Sequence, residues 1–312
     1  MSLIRDAGTT LSASFTSGDH IITPRGILSQ QGTFVPLTPI SSRCYFVDGG
    51  SGILMSSPDF CVAIVRTAGM VFSGGACTKR IQRTQIVTVR AIDGKPTFEL
   101  ETFPKSSVMK FDGIHEDLKR GTYPCLPEDI ITLHRRLQEL QLALNLCQGC
   151  KEIDAMNADD FLVLDGELRA QTLFEEKVLK EITELHANTV GVVKQTGSFT
   201  NTGSHANRVL LELGPKGTWL YTQNDLPTGF VRLHARSSHV FRIDSTNSEV
   251  LARAANVLSF LSNDALLAGY PYGLIAVDNL AKVSTSELAV ERLSLLTTPL
   301  AKQLVEHPHA FF

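Results

Sequence analysis

No apolar run in this chain approaches the roughly 18 residues needed to cross a bilayer, which excludes a membrane-spanning helix. The first residues, Met1-Ser2-Leu3-Ile4-Arg5-Asp6, lack the basic patch and apolar stretch of a secretory leader, so the expectation is a cytoplasmic protein without membrane attachment. A surplus of positive charge is also missing. The formal net charge is −3, which argues against a protein that coats nucleic acid by bulk charge. Internal repeats and low-complexity tracts are absent, so solenoid and linker-like architectures drop out. Charged residues are scarce at 20%, and with six cysteines that leans away from a hyperthermophile. What remains is an ordinary globular composition, 43% hydrophobic over 312 residues, enough to bury a sizeable core.

A zinc framework is missing as well. Cys147-Gln148-Gly149-Cys150 has the spacing of a zinc knuckle, but no second pair or His-x3-His follows it. The pair reads instead as a helix end with Gly149 as its stop. The remaining cysteines, Cys44, Cys61, Cys77 and Cys125, lie mostly in apolar strand-like runs, where a reduced thiol behaves as a small hydrophobe.

Two short stretches carry the strongest signal that is present. Tyr45-Phe46-Val47-Asp48-Gly49-Gly50 and Phe161-Leu162-Val163-Leu164-Asp165-Gly166 both run apolar residues straight into Asp-Gly. A buried strand ending this way sets a carboxylate at the sheet edge beside open backbone. Two such carboxylates from neighbouring strands suit a hard divalent cation, which takes oxygen ligands.

Whether the strands are neighbours depends on their order. Residues 1–41 are rich in Ser, Thr, Gly and Pro and read as a loop-rich arm of the same unit as residues 42–312. Strands are expected at 43–48, 60–72 and 83–92, then an irregular connection over 93–126 containing Pro96, Pro104 and Pro124. A helix opens near Pro127 with a leucine seam at 133, 137, 140 and 144. A strand at 161–164, a helix from Glu167 to about His186 and a strand at 190–193 follow. Further strands are expected at 209–213, 229–233 and 239–243, a helix at 249–261, and a last helix from the capping box Ser284-x-x-Glu287. Three strands, then helix, strand, helix and strand is the order of an α/β, ribonuclease H-like mixed sheet flanked by helices, here with additional strands and a C-terminal helical part. In that order the first strand and the strand after the first helix are adjacent, which pairs Asp48 with Asp165.

Paired carboxylates repel when dry; a divalent cation removes the conflict, and two of them can activate water and stabilise a leaving oxygen. Glu139 lies on the flank of the leucine seam, where it can look along the sheet edge, or else form a solvated pair with Arg135 or Arg136. Asp278 ends the apolar run of Tyr270-Pro271-Tyr272-Gly273-Leu274-Ile275-Ala276-Val277. Spacing alone does not single it out. Residues 151–187 are strongly acidic and 190–243 basic, a polarity that suits cations and a polyanion. On the basic side, Lys194, Arg232, Arg236 and Arg242 can contact DNA phosphates, a mode that carries little sequence information.

The early Asp-Gly strand, Leu137-Gln138-Glu139-Leu140 and Leu164-Asp165-Gly166-Glu167-Leu168 together resemble the NurA nuclease family. Val192-Val193-Lys194, Val231-Arg232-Leu233, Val240-Phe241-Arg242-Ile243-Asp244 and the late Tyr-Pro-Tyr-x-Leu-Ile segment extend the likeness over about residues 43–295. The resemblance implies a ribonuclease H-like fold and a manganese-dependent DNA nuclease, with magnesium as a substitute. It implies exonuclease and single-strand endonuclease activity in end resection and double-strand break repair. The implied partners are DNA, a HerA-type hexameric translocase and a second copy of the chain as a homodimer. It makes Asp48, Glu139, Asp165 and Asp278 metal ligands and catalytic residues. Asp278 stands where many relatives have histidine, and an aspartate still ligates a hard metal while not repeating a histidine's proton transfer. Residues 147–158 read as an insertion, which leaves Glu128 and Glu152 open as alternatives to Glu139.

Two other readings compete. Asp48-Gly49-Gly50-Ser51-Gly52 also resembles the first phosphate loop of the actin, hexokinase and heat-shock chaperone group, with Asp165-Gly166 as a second loop, although the glycine pair that would hold adenosine is missing. A ribonuclease H-like binding platform with a decayed site is the other, opposed by the four retained acids. The terminal His307-Pro308-His309-Ala310-Phe311-Phe312 reads as a chain end, or as a tail that docks on a partner ring.

Overall fold

The structure is a computed structural model, and it describes residues 20–23, 26–29, 32–92, 95–194, 198–200, 203–223, 226–265 and 267–296. The terminal His-Pro-His segment lies outside them. In chain order the strands are β1 (His20–Thr23), β2 (Gly26–Ser29), β3 (Thr33–Pro36), β4 (Cys44–Ser56), β5 (Phe60–Ser73), β6 (Ala76–Ile92), β7 (Lys95–Phe103) and β8 (Val108–Asp112). Helix α1 (Pro127–Gln148), β9 (Phe161–Asp165), α2 (Leu173–Leu185), β10 (Thr189–Val193), β11 (Phe199–Thr200) and α3 (Ala206–Leu213) follow. The chain continues with β12 (Trp219–Thr222), β13 (Thr228–Arg232), β14 (Phe241–Ser245), α4 (Ser248–Phe260), α5 (Tyr272–Ala281) and α6 (Thr285–Leu296).

Among the described residues, eleven strands form one mixed sheet in the order β3-β12-β13-β14-β10-β9-β4-β5-β6-β7-β8. Its centre is parallel: β9 lies between β4 and β10, with Val47 opposite Leu164 and Val192 opposite Asp165. Residues buried on both faces make such strands near-continuous apolar runs, which is how Tyr45–Val47, Phe161–Leu164 and Val190–Val193 read. The β4–β9 ladder stops at Val47, while β4 runs on against β5 to Ser56. That divergence opens a notch at the level of Asp48 and Asp165.

Alternation assigns the two faces. Phe46, Val163 and Val192 pack with Leu274, Val277 and Ala281 of α5 and with α4, so Asp48 and Asp165, two residues along their strands from Phe46 and Val163, share the α5 face. Tyr45, Val47, Leu162 and Leu164 pack with Leu140, Ala143 and Leu144 of α1 on the opposite face. Full burial of an aromatic such as Phe46 contributes about 1.5–3 kcal/mol. Gly149 ends α1 with φ of 86°, and the Ser284 hydroxyl accepts from the Glu287 N–H at 3.1 Å, capping α6.

Several expectations need correction. Residues 93–126 contain β7 and β8, because Phe98, Leu100 and Thr102 alternate inward between the prolines. The stretch 209–213 belongs to helix α3, not a strand: Ala206, Val209 and Leu210 share its buried face, and Ala206 and Leu210 pack with Trp219. A short apolar run does not reveal its period. Trp219–Thr222, unforeseen, is a strand, and β3 within residues 1–41 pairs with it. The helix expected from Glu167 starts at Leu173, because Gly166 turns the backbone to φ of 104° and the following loop folds Leu168 into the core.

Candidate metal centre

Asp48 and Asp165 stand side by side, one position beyond the last rung of the β4–β9 ladder. Helix α5 crosses the same face and contributes Asp278. One carboxylate oxygen from each of the three lies within 4.8 Å of the other two. The group is graded from buried Asp48 through half-buried Asp165 to exposed Asp278. Among the described residues nothing donates to the Asp278 carboxylate, and Asp48 accepts only from the Gly49 N–H at 2.7 Å.

Glycines make this approach possible. A Cβ on Gly50 would sit 2.3 Å from the Ala281 carbonyl oxygen, and one on Gly273 would sit 2.2 Å from the Phe46 ring. The Asp-Gly-Gly run therefore lets the helix bearing Asp278 lie against the strand bearing Asp48. The Lys282 carbonyl at the end of α5 accepts from Arg66 Nη1 at 2.8 Å, and the Leu280 carbonyl accepts from Gln82 at 2.8 Å, which fixes the helix to β5 and β6.

Glu139 reaches the same cleft from the opposite face. It is buried, not solvated, and it is paired with both candidate partners: Arg135 Nη1 donates to its Oε2 at 3.3 Å and Arg136 Nη1 to its Oε1. Arg135 Nη1 also donates to the Gly49 carbonyl at 2.7 Å, and Arg136 reaches the Glu167 carbonyl at 3.5 Å. Glu139 thus lies outside the three-carboxylate group as a clamp on two guanidiniums beside it. Neither alternative glutamate joins the group. Glu128 occupies the first turn of α1, and Glu152 lines a separate cavity with Arg83 and Lys105.

The cleft holds about 440 Å³ and is lined by Asp48, Asp165, Glu139, Arg135, Arg136 and Glu175, among others. Burial pushes the Asp48 carboxyl from its ordinary 3.8 up to about 7, helped by the charges of Glu139 and Asp165. Burial also raises Glu139, against the pull of Arg136 and Arg135. Asp48, Asp165 and Asp278 nevertheless aim one carboxylate oxygen each at a common point. The donor set is all oxygen, so it fits Mn²⁺ or Mg²⁺.

The basic residues separate into distinct roles. Lys194 is drawn into the site, its Nζ 2.5 Å from Asp165 Oδ2 and 5.6 Å from the centre of the Tyr270 ring. Its own burial opposes its charge, but hydrogen bonds to Asp165 and Tyr270 raise its pKa. Arg232 donates to the carbonyls of Ser237 and Ala235 at 3.0 and 2.7 Å, bracing the loop after β13. Arg236 is exposed on that loop. Arg242, expected to touch DNA, is corrected to an internal residue. It is fully buried, 2.7 Å from Glu167 and 3.2 Å from Asp244, and it faces no solvent. Tyr270, Arg135 and Arg136 are site residues whose contribution sequence reasoning missed, although Tyr270 opened a quoted motif and both arginines stood one turn from Glu139.

Comparisons with known proteins bear on this geometry. Residues 42–283 match the model of the NurA domain. The NurA nuclease of Sulfolobus solfataricus superposes with a TM-score of 0.52 at 14% identity, over 86% of this chain and 88% of that one. Endonuclease V of Ciona intestinalis gives 0.44 at 10% identity over 80% and 86%, and human endonuclease V gives 0.40 at 14% over 80% and 86%. No curated protein sequence matches. No helix among the described residues is long and apolar enough to cross a membrane. A family match spanning most of the chain, over a ribonuclease H-like sheet, places this chain in the NurA family of nucleases.

Proposed function

We propose that this chain is a divalent-metal-dependent DNA nuclease whose cation is held by Asp48, Asp165 and Asp278, with Mn²⁺ as the working ion and room for a second. The observation that carries this reading is the convergence of three carboxylates on one point in a NurA-family fold. A bound divalent cation supplies Lewis-acid stabilisation and a nucleophile at neutral pH. Glu139 holds Arg135 and Arg136 at the cleft wall, where guanidiniums suit the phosphate of a DNA strand. Water adds to phosphorus, one ester P–O bond breaks, and the departing oxygen takes up a proton. Arg236, exposed and outside the cleft lining, is a contact for the DNA backbone.

By family, the same reading extends to exonuclease and single-strand endonuclease activity in end resection and double-strand break repair, with a HerA-type hexameric translocase and as a homodimer. The phosphate-loop alternative loses support from the glycines, since Gly50 and Gly52 are spent on contacts with Ala281 and Leu288. An inactive platform gives no reason for Asp48, Asp165 and Asp278 to bring their carboxylates to one point.

The test is an end-labelled oligonucleotide incubated with purified protein and Mn²⁺ or Mg²⁺. Cleavage is expected with either ion, none after chelation, little dependence on sequence, and steep loss as salt rises. Undiminished cutting by a folded Asp165→Ala variant would sink the assignment. ATP binding without cleavage would select the phosphate-loop reading.

A further inference from the structure

We infer that Lys194 is a built-in counter-ion: it neutralises Asp165 until a divalent cation enters, then moves to the phosphate of the DNA strand. The inference rests on the metal site proposed above and adds its regulation. Lys194 directly follows β10, two residues past Val192, which lies opposite Asp165, so its side chain emerges on the carboxylate face just beyond the end of β9. Its Nζ is 2.5 Å from Asp165 Oδ2, an oxygen of the very residue that joins Asp48 and Asp278.

What distinguishes Lys194 from the arginines nearby is what holds it. Arg135 and Arg136 are tied to the backbone carbonyls of Gly49 and Glu167 as well as to Glu139. Among the described residues the Lys194 ammonium meets only side chains, those of Asp165 and Tyr270, and a third of its side chain is exposed. A dication bound by the same carboxylates repels the ammonium at a few ångströms. The ammonium keeps its other partner, the Tyr270 ring 5.6 Å away, an aromatic surface that attracts cations. A DNA phosphate arriving there meets a cation whose previous partner has been taken by the metal.

This hand-over couples two affinities. Metal binding frees Lys194 for DNA, so DNA must tighten metal binding by the same factor. The direct test is Mn²⁺ binding to the full-length protein without DNA, read from the electron paramagnetic resonance of the free ion. Lys194→Met is expected to bind Mn²⁺ about tenfold more tightly than wild type, and Lys194→Arg, which keeps the charge, no more tightly. With Ca²⁺ as the probe ion, a single-stranded oligonucleotide should tighten cation binding by wild type and not by Lys194→Met. Unchanged or weaker Mn²⁺ binding by a folded Lys194→Met overturns the inference and leaves Lys194 as a positioning partner of Asp165. Failure of wild type to bind Mn²⁺ at all overturns the metal site itself, so the two failures are distinguishable.

Discussion

Replacing Asp48 by asparagine is expected to make the metal-free protein harder to melt and, in the same molecule, to abolish DNA cleavage. The carboxyl of Asp48 is pushed up to about 7 by burial and by its acidic neighbours. Its folded form therefore holds a proton that the unfolded chain releases near pH 4. The stability this group contributes is complete below about pH 4 and is lost as the pH rises through about 7. A rise from 3.8 to about 7 corresponds to a penalty on the ionised form of at most about 4 kcal/mol. An amide of the same shape carries no such penalty. At pH 8 the metal-free Asp48→Asn variant should melt several degrees above wild type, at about 2–4 °C per kcal/mol, and the gap should close by pH 4. Added Mn²⁺ should stabilise wild type and not the variant. Cleavage should fall by about 10³-fold or more, because loss of roughly 4 kcal/mol of metal-assisted stabilisation costs that factor in rate. Differential scanning calorimetry across pH, with and without chelator, and single-turnover cleavage check both halves. A variant that melts lower than wild type at pH 8 would refute the electrostatic account of Asp48.

The second large effect comes from a residue with no side chain. Gly50→Ala should destabilise the protein by about 2–3 kcal/mol, as overpacking does in a closed core, and should weaken Mn²⁺ binding without altering any carboxylate. The new methyl would sit 2.3 Å from the Ala281 carbonyl oxygen, a backbone atom whose helix is fastened to Arg66 and Gln82. Helix α5 must move, and Asp278 moves with it. Gly52→Ala is the control: the nearest atoms to its methyl belong to the Leu288 side chain and not to backbone, and that side chain can rotate aside. Chemical denaturation and Mn²⁺ titration of both variants decide the matter. Equal effects from the two would show that the close approach of α5 at Gly50 is not what places Asp278.

The central sheet was legible because Tyr45–Val47, Phe161–Leu164 and Val190–Val193 are almost wholly apolar, although only β9 ends at its Asp-Gly: β4, expected to stop at Asp48, runs on through Gly49 and Gly50 to Ser56 against β5. Strand order then gave the adjacency of β4 and β9 without any tertiary information. The wings were harder. Pro96 and Pro104 disguised β7, and Val209-Leu210-Leu211 reads equally well as strand or helix until Trp219 is known to lie beneath it. At the site, the difficulty was charge. Nothing in the local sequence distinguishes Arg242, fully buried between Glu167 and Asp244, from Arg236 on an exposed loop. Glu139 paired with its neighbours as its spacing allowed, but its burial depends on the sheet edge of β4, contributed by residues far back in the chain. Asp278 was equally invisible to spacing, since its place beside Asp48 is set by two glycines whose neighbours come from other elements.

The three carboxylates come from β4, β9 and α5, near the beginning, the middle and the end of the region matched by the family. A ribosome delivers them in that order, and the first two can pair while α5 is still unmade. On the proposed reading, the complete ligand set therefore comes into being only when residues 272–281 dock on β4. A nascent or truncated chain, however well its sheet has formed, carries an unfinished site, so cutting power arrives last.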